Sequence, residues 1–326
     1  MKHSNISIFI PHLGCKNCCS FCNQRVISGQ INPTTPQDVK QILDNSIITP
    51  NTQIAFFGGS FTAIDKDYMI KLLDAAQPYN CPIRISTRPD AINQEILDIL
   101  KQKNVTAIEL GAQSMDDEVL RLNHRGHTAK DVENASRLIK QNGFELGLQM
   151  IVSVYGDTKE KTYQTAQKIA QLNPDTVRIY PTVILKGTAL ASLFEKGEYT
   201  PFAFEDAVDI CANLLDFFIS KGILVIKLGL HSSTDVEKDM VGGIYHPAFR
   251  ELCEGSLYLK IAKHLLKDCS CKNIEIYVNQ KGVSKMIGQK KQNIIQLENM
   301  GYTVKVKQDN TLKDFQIVVK EVSACT

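Results

Sequence analysis

The sequence contains no apolar run long enough to span a bilayer, and its first residues lack the apolar core of a secretory signal. Neither sign of charge is in excess: 37 Lys and Arg stand against 35 Asp and Glu, a net charge of +2. That balance excludes a generally basic nucleic-acid binder and leaves room only for a local patch. Ten cysteines in 326 residues are too few for a disulfide framework. A chain with these absences is expected in a reducing cytoplasm. Its length fits one large domain and a small one, and 43% hydrophobic residues supply a core.

The cysteine that is present is concentrated in the run Cys15-Lys16-Asn17-Cys18-Cys19-Ser20-Phe21-Cys22. Cys15, Cys19 and Cys22 give a C-x3-C-x2-C spacing just after an apolar, strand-like segment. Three thiolates on one tight loop can hold three irons of a 4Fe-4S cluster, leaving the fourth iron open to a substrate or cofactor. The run also parses as Cys15-x2-Cys18 followed at once by Cys19-x2-Cys22, a four-cysteine zinc pattern. Zinc pairs sit on separate knuckles about a dozen or more residues apart, and adjacent pairs converge poorly on a tetrahedral ion. Cys269-Ser270-Cys271, with Cys253 upstream, could bind a metal or form a redox pair, but no second set completes a site.

From about residue 6 to 185 the pattern is strand then helix, repeated. Candidate strands are Ile6 to Ile10, Gln53 to Phe57, Ile83 to Thr87, Ala107 to Ala112, Leu146 to Val152 and Val177 to Val183, continuous apolar runs of the kind buried on both faces in parallel sheets. Thr35-Pro36-Gln37-Asp38 reads as a helix start, with a cap, a proline at the first position and an acid in the first turn. Thr128 starts another helix, which Gly143 closes. Six such units imply an α/β fold, most simply an open (β/α)6, TIM-like partial barrel with its chemistry where strands end. A doubly wound open sheet has the same periodicity. Beyond Pro201 come a helix from about Glu205 to Ser220 and a strand from Ile223 to Leu228. Residues 1–230 are thus expected to form the barrel, 231–270 a helical connector and 271–326 a small basic α+β domain. In that last part the expected elements are Ile274 to Val278, a helix Ile287 to Met300, Thr303 to Lys307 and Phe315 to Val319.

Polar residues gather at the expected strand ends. Gly58, Gly59 and Ser60 follow the second strand, where glycines let backbone approach a ligand closely. Ser86 and Arg88 end the third strand, Gln113 and Ser114 the fourth, and Arg125 follows shortly after. Arg88 and Arg125 could each fork onto a carboxylate, while the serines and Gln113 could serve ribose hydroxyls. Taken singly, each could equally be a helix cap or a surface ion pair. Tyr180 and Lys186 flank the sixth strand and face either the barrel mouth or helix packing. His246 beside Pro247 reads as structural before it reads as an acid or base.

The cysteine spacing and Phe21 resemble the signature of the radical S-adenosylmethionine (SAM) superfamily. The stretches 14–29 (GCKNCCSFCNQRVISG), 57–64, 86–91, 109–114, 123–128 (NHRGHT) and 178–188 (RIYPTVILKGT) occur in the same order as in the radical-SAM domain of Elongator's catalytic subunit and its smaller bacterial relatives. The match covers roughly the first two-thirds of the chain. The resemblance implies a 4Fe-4S cluster on Cys15, Cys19 and Cys22, with SAM on the unique iron. Reductive cleavage to a 5′-deoxyadenosyl radical then follows, fed by an electron donor such as flavodoxin or ferredoxin. It also implies cofactor contacts at Phe21, Gly58, Gly59, Ser60, Ser86, Arg88, Gln113, Ser114, Arg125 and Gln149. Tyr180, if it points into the barrel, could relay a hydrogen atom or position substrate. The relatives usually carry Pro and Gly after the fifth strand, where this chain reads Ile151-Val152-Ser153-Val154-Tyr155-Gly156-Asp157. It also leaves no room for an acetyltransferase domain, so acetyl-CoA chemistry is not implied.

Lys281, Lys285, Lys290 and Lys291 surround Ile287-Gly288, with no acid from Lys281 through Leu297. The stretch 283–291 looks like the loop of a KH-type RNA-binding domain, in which backbone amides and lysines clamp phosphates. Lys291 stands where that loop's second glycine would be. The leading expectation is a radical SAM enzyme modifying RNA, most plausibly as a transferase on a tRNA base. The alternatives are a radical SAM enzyme acting on a small metabolite or peptide, and an iron-sulfur carrier or sensor.

Overall fold

All six apolar runs become strands in a computed structural model of the chain, which describes residues 4–10, 13–15, 19–23, 26–27, 32–230 and 234–322. They are β1 (Ser4–Phe9), β2 (Thr52–Phe57), β3 (Ile83–Thr87), β4 (Val105–Gln113), β5 (Glu145–Val152) and β6 (Thr176–Pro181). Cys18, on which the zinc parsing depends, lies outside the described residues. Helices α1 (Pro36–Asp44), α2 (Lys66–Ala76), α3 (Gln94–Gln102), α4 (Asp117–Leu122), α5 (Ala129–Gln141) and α6 (Lys159–Gln171) fall between them. Their starts obey local chemistry. Thr35 and Asp38 form a reciprocal capping box with Pro36 at the first position, and Thr128 and Asp131 form a second box.

The sheet has seven strands in the order β1-β2-β3-β4-β5-β6-β8, with β8 at Leu224–Leu228 and every neighbouring pair parallel. A doubly wound sheet reverses its strand order at a switch point, whereas this order follows the chain, as in a barrel. The expectation of six strands is corrected to seven. Residues 224–228, set apart in the sequence reading, form β8 (Leu224–Leu228) and pair with β6. Ile8, Ile54, Ile85, Ile108, Leu148 and Ile179, one from each of the first six strands, are wholly buried. Each contributes about 1.5–3 kcal/mol by leaving water. After β6 the chain forms β7 (Val183–Leu185) and α7 (Ala189–Glu195). Beyond β8, α9 (Thr234–Asp239) leads into β9 (Met240–Gly243), which pairs antiparallel with β7.

Contacts divide the chain into two units, 1–202 with 221–245, and 203–220 with 246–326. The second unit therefore includes α8 (Phe204–Ser220) and α10 (Phe249–Leu265), a grouping that cuts the chain differently from 1–230, 231–270 and 271–326. It continues with β10 (Asn273–Val278), α11 (Val283–Ile287), α12 (Gln292–Asn299), β11 (Thr303–Gln308) and β12 (Val318–Glu321). Its sheet runs β11-β10-β12, parallel on one side of β10 and antiparallel on the other. Tyr258, Leu259, Ala262 and Leu266 pack on Ile274, Ile276, Val278, Met286 and Leu297 as its core. The helix expected over 287–300 starts later, at Gln292, and is cut off from the short α11, because Gly288, Lys290 and Lys291 take φ of +77°, +51° and +60°. No helix among the described residues is long and apolar enough to cross a membrane.

Candidate active site

The C-terminal ends of the barrel strands open on one cavity of about 690 Å³. Cys15, Cys19 and Cys22 all line it, as do Phe21, Gly58, Gly59, Ser60, Ser86, Arg88, Gln113, Arg125, Gln149 and Tyr180. The expected residues are therefore brought together with one exception. Ser114 is outside the lining; its buried hydroxyl faces Thr165 at 3.3 Å and accepts from the Asp116 N–H at 3.1 Å. Tyr180 faces the cavity, and burial pushes its phenol pKa up, against the charge of Arg178. Lys186 instead donates to the Lys238 carbonyl. His246 belongs to the second unit, where its Nδ1 accepts from the Ala248 N–H at 3.0 Å and closes a turn.

The cysteine loop is held by backbone. Ser60 N–H donates to the Leu13 carbonyl at 2.9 Å, and Ser20 N–H to the Asn123 carbonyl at 3.2 Å. The Ser20 carbonyl accepts from the Leu190 N–H at 2.8 Å, and its hydroxyl donates to Asn123 Oδ1 at 2.5 Å. Asn123 in turn donates to the Tyr155 and Val119 carbonyls. Gly59 is essential to this arrangement. A Cβ there would lie 2.4 Å from the Leu13 carbonyl oxygen and 2.6 Å from that of Ile10. Gly14 mirrors it, with the Ser60 oxygen 2.3 Å from where its Cβ would be. These glycines let the cysteine loop lie directly on the end of β2. Ser60 is similarly committed, its hydroxyl bonded to Thr87 Oγ1 and accepting from the Arg88 N–H, both at 3.0 Å.

Arg125 Nη1 donates to Cys19 Sγ at 3.1 Å and Nη2 to the Gly111 carbonyl at 2.7 Å. Arg125 Nε and Gln113 Oε1 are buried in the same wall without a hydrogen-bond partner. Buried polar atoms are rarely left unpaired, so this donor and acceptor mark where a polar ligand fits. Arg88 Nε is paired with Asp90 at 2.5 Å. Three thiols on one loop, with an unpaired donor and acceptor beside them, fit a three-thiolate cluster with a polar cofactor next to it. Among the described residues, no three His, Cys, Asp or Glu side chains are arranged to hold a single metal ion, those around Cys253, Cys269 and Cys271 included.

Behind the lining lies a charge network that the sequence reading did not find. Glu109, 1% exposed, accepts from Arg178 through both oxygens at 2.6 and 2.8 Å, from Gln149 at 2.8 Å and from Arg84 at 3.2 Å. Arg84 also reaches Glu145 at 2.6 Å and Gln53 at 2.8 Å. Burial disfavours the Arg178 charge, but Glu109 and Tyr180 outweigh it and hold its pKa above the ordinary value. The Arg178 guanidinium also stacks 5.0 Å from the Phe57 ring centroid. Room for Glu109 comes from the next strand, since a Cβ on Gly147 would lie 2.7 Å from Glu109 Cγ. The signal was present as lone charges inside apolar runs, Arg84 in IRIST, Glu109 in AIELGA and Arg178 in TVRIYP.

In the second unit, Lys281, Lys290 and Lys291 are exposed. Lys285 is not free, because its Nζ is 2.6 Å from the buried Glu254, which Arg250 also pairs at 2.8 Å. Asn293 donates to the Lys285 and Gly255 carbonyls, tying the loop to α10.

The model of the Radical SAM superfamily matches residues 9–169, and that of the Radical_SAM C-terminal domain matches residues 174–258. A tRNA uridine(34) acetyltransferase of Methanocaldococcus jannaschii is 28% identical over 187 residues, 50% of this chain and 35% of that protein. Elongator complex protein 3 of Saccharomyces cerevisiae is 27% identical over 189 residues, 50% of this chain and 34% of that protein. The chain thus spans about a third of the length of these curated relatives. Among solved structures, the archaeal Methanocaldococcus infernus Elp3 superposes with a TM-score of 0.63 at 21% identity, covering 81% of this chain and 63% of that one, a likeness of fold.

Proposed function

Since the chain belongs to the radical SAM superfamily, we propose that it is a radical SAM enzyme acting on RNA, with a tRNA base as the substrate class. The observation that carries this reading is the convergence of Cys15, Cys19 and Cys22 with Gln113, Arg125, Gln149 and Tyr180 on one cavity. Cys15, Cys19 and Cys22 would hold the 4Fe-4S cluster, and Gln113 and Arg125 would offer an acceptor and a donor to SAM. Bound together, cluster and SAM supply a 5′-deoxyadenosyl radical on one-electron reduction, with flavodoxin or ferredoxin as the class of donor.

The protein's own part is positional. Glu109 fixes Arg178 and Gln149, and Arg178 stands beside Tyr180, so the wall facing the reacting centre is rigid. Phe9, Phe21, Phe57, Ile151, Val183 and Leu185 give the cavity an apolar side, which suits a radical that attacks any nearby C–H. The RNA reading is supported by the names of the curated relatives and by the exposed Lys281, Lys290 and Lys291 around a sharp loop in the second unit. Lys285 supports that loop through Glu254.

Anaerobic reconstitution with iron and sulfide, followed by dithionite and SAM, is expected to release 5′-deoxyadenosine; a protein that takes up four irons and releases none is a carrier or sensor. Filter binding then tests the substrate class. Salt-sensitive tRNA affinity that falls in Lys290→Glu/Lys291→Glu supports RNA, and no tRNA binding at low salt leaves the small-molecule or peptide alternative.

A further inference from the structure

The run Asn123-His124-Arg125-Gly126-His127-Thr128 is built as a clasp. Asn123 holds Ser20, Thr128 caps α5, and His127 Nε2 lies 3.3 Å from the Ala112 carbonyl. His124 and Gly126 take φ of +53° and +68°, reversing the chain on either side of Arg125. The Arg125 N–H is fixed to the Leu120 carbonyl at the end of α4, at 3.0 Å. The guanidinium is thus delivered from a rigid turn to two partners, the Cys19 sulfur and the Gly111 carbonyl. Among the described residues no carboxylate pairs with it, whereas Arg88 and Arg178 each have one and Arg84 has two. Arg125 is the cation of this site whose charge is spent on a cysteine sulfur.

The end of β4 is shaped around that contact. Its register shifts between Gly111 and Gln113, and Gln113 takes φ of +65°. A Cβ on Gly111 would lie 3.2 Å from Arg125 Nη2 and 2.8 Å from Gln113 Nε2. Glycine at 111 therefore gives the guanidinium its place against the strand.

We propose that Arg125 is a positioning residue that fixes the Cys19 sulfur and raises the reduction potential of the cluster held by the cysteine loop. The inference rests on the cluster reading above. Reduction adds one negative charge that spreads onto the sulfurs, so a cation and hydrogen-bond donor at one of them favours the reduced form. Without SAM the guanidinium is partly buried and pairs with no carboxylate among the described residues, so in the SAM-free protein, where the potential is read, the effect is little screened.

The test uses full-length protein, reconstituted anaerobically as wild type, Arg125→Met, Arg125→Lys and Gly111→Ala, with iron counted and the midpoint potential followed by electron paramagnetic resonance. The expected order of potentials is wild type, Arg125→Lys, Arg125→Met, from highest to lowest, at equal iron content. Gly111→Ala is expected below wild type although it keeps the arginine, since the added Cβ crowds Arg125 Nη2 as well as Gln113 Nε2 and so loosens the contact. Equal potentials for wild type and the variants that retain four irons would overturn the inference by itself. If Arg125→Met loses its iron, Arg125→Lys and Gly111→Ala decide, and wild-type potentials in both would reduce Arg125 to a loop brace. A wild-type protein that takes up no four-iron cluster would instead overturn the parent reading, and this inference with it.

Discussion

Gly59 in the barrel and Lys291 in the second unit both take left-handed backbone, φ +45° and +60°, under opposite conditions. Around Gly59 the backbone of Ile10 and Leu13 leaves no room for a Cβ, while Lys291 is exposed at a loop tip. Where two backbones press together only glycine serves; where nothing presses, a lysine bears the conformational cost of about 1–2 kcal/mol. Ser153, at φ +67° after β5, is a third case, because it is buried yet not glycine. Its N–H donates to Asp157 at 2.9 Å, its hydroxyl accepts from the Phe202 N–H at 2.8 Å, and its carbonyl accepts from the Tyr199 hydroxyl. Left-handed backbone is thus tolerated here through absence of a side chain, through exposure, or through hydrogen bonds.

The sharpest break of this contrast is Gly59→Ala. Its Cβ meets backbone on two sides, so a loss of about 3 to 5 kcal/mol is expected from clash and strain together. Thermal unfolding should register it, and iron uptake should fall because the cysteine loop is displaced. A variant as stable as wild type would remove the packing argument.

Asp157→Asn probes the hydrogen-bonded case. Burial pushes the Asp157 carboxyl up to about 6, opposing the hydrogen bonds from Thr162 and Ser153. A carboxyl raised from its unfolded value of 3.8 favours the fold most when protonated, and that advantage is lost as pH rises through about 6. Both donors converge on Oδ2, a position an amide oxygen can fill. The variant is therefore expected to be more stable by about 1–2 kcal/mol at pH 7 and level with wild type near pH 4. Denaturant unfolding across that pH range measures it, and a constant difference would refute the assignment.

Ser153→Gly separates strain from hydrogen bonding. It relieves the left-handed backbone but orphans the Phe202 N–H, so a net loss of about 1 kcal/mol is expected. A gain in stability would mean strain dominates at 153 as well. Lys291→Gly, with no packed contact to lose, should gain about 1 kcal/mol, read as a small rise in the unfolding midpoint of the full chain.

Strands were legible because parallel strands buried on both faces are apolar throughout, and helix starts because Thr35-Pro36 and Thr128 act through neighbours in sequence. The Leu224–Leu228 segment was itself visible, but its membership of the sheet depends on pairing with β6 some fifty residues earlier in the chain. The cysteine triad was visible as spacing. The commitments of Ser60 and Ser114 were not, since a hydroxyl's partner, whether Thr87, Thr165 or a turn N–H, is chosen by the fold. The Glu109 network needs the register of β3 to β6, which no local pattern encodes.

Gly147 and Glu109 form one unit of inheritance. The carboxylate's stem fills the volume a side chain at 147 would claim, so a change at 147 is felt at 109. With Thr176 Oγ1 also 3.0 Å from where a Cβ would lie, a library that randomises 147 alone should return glycine.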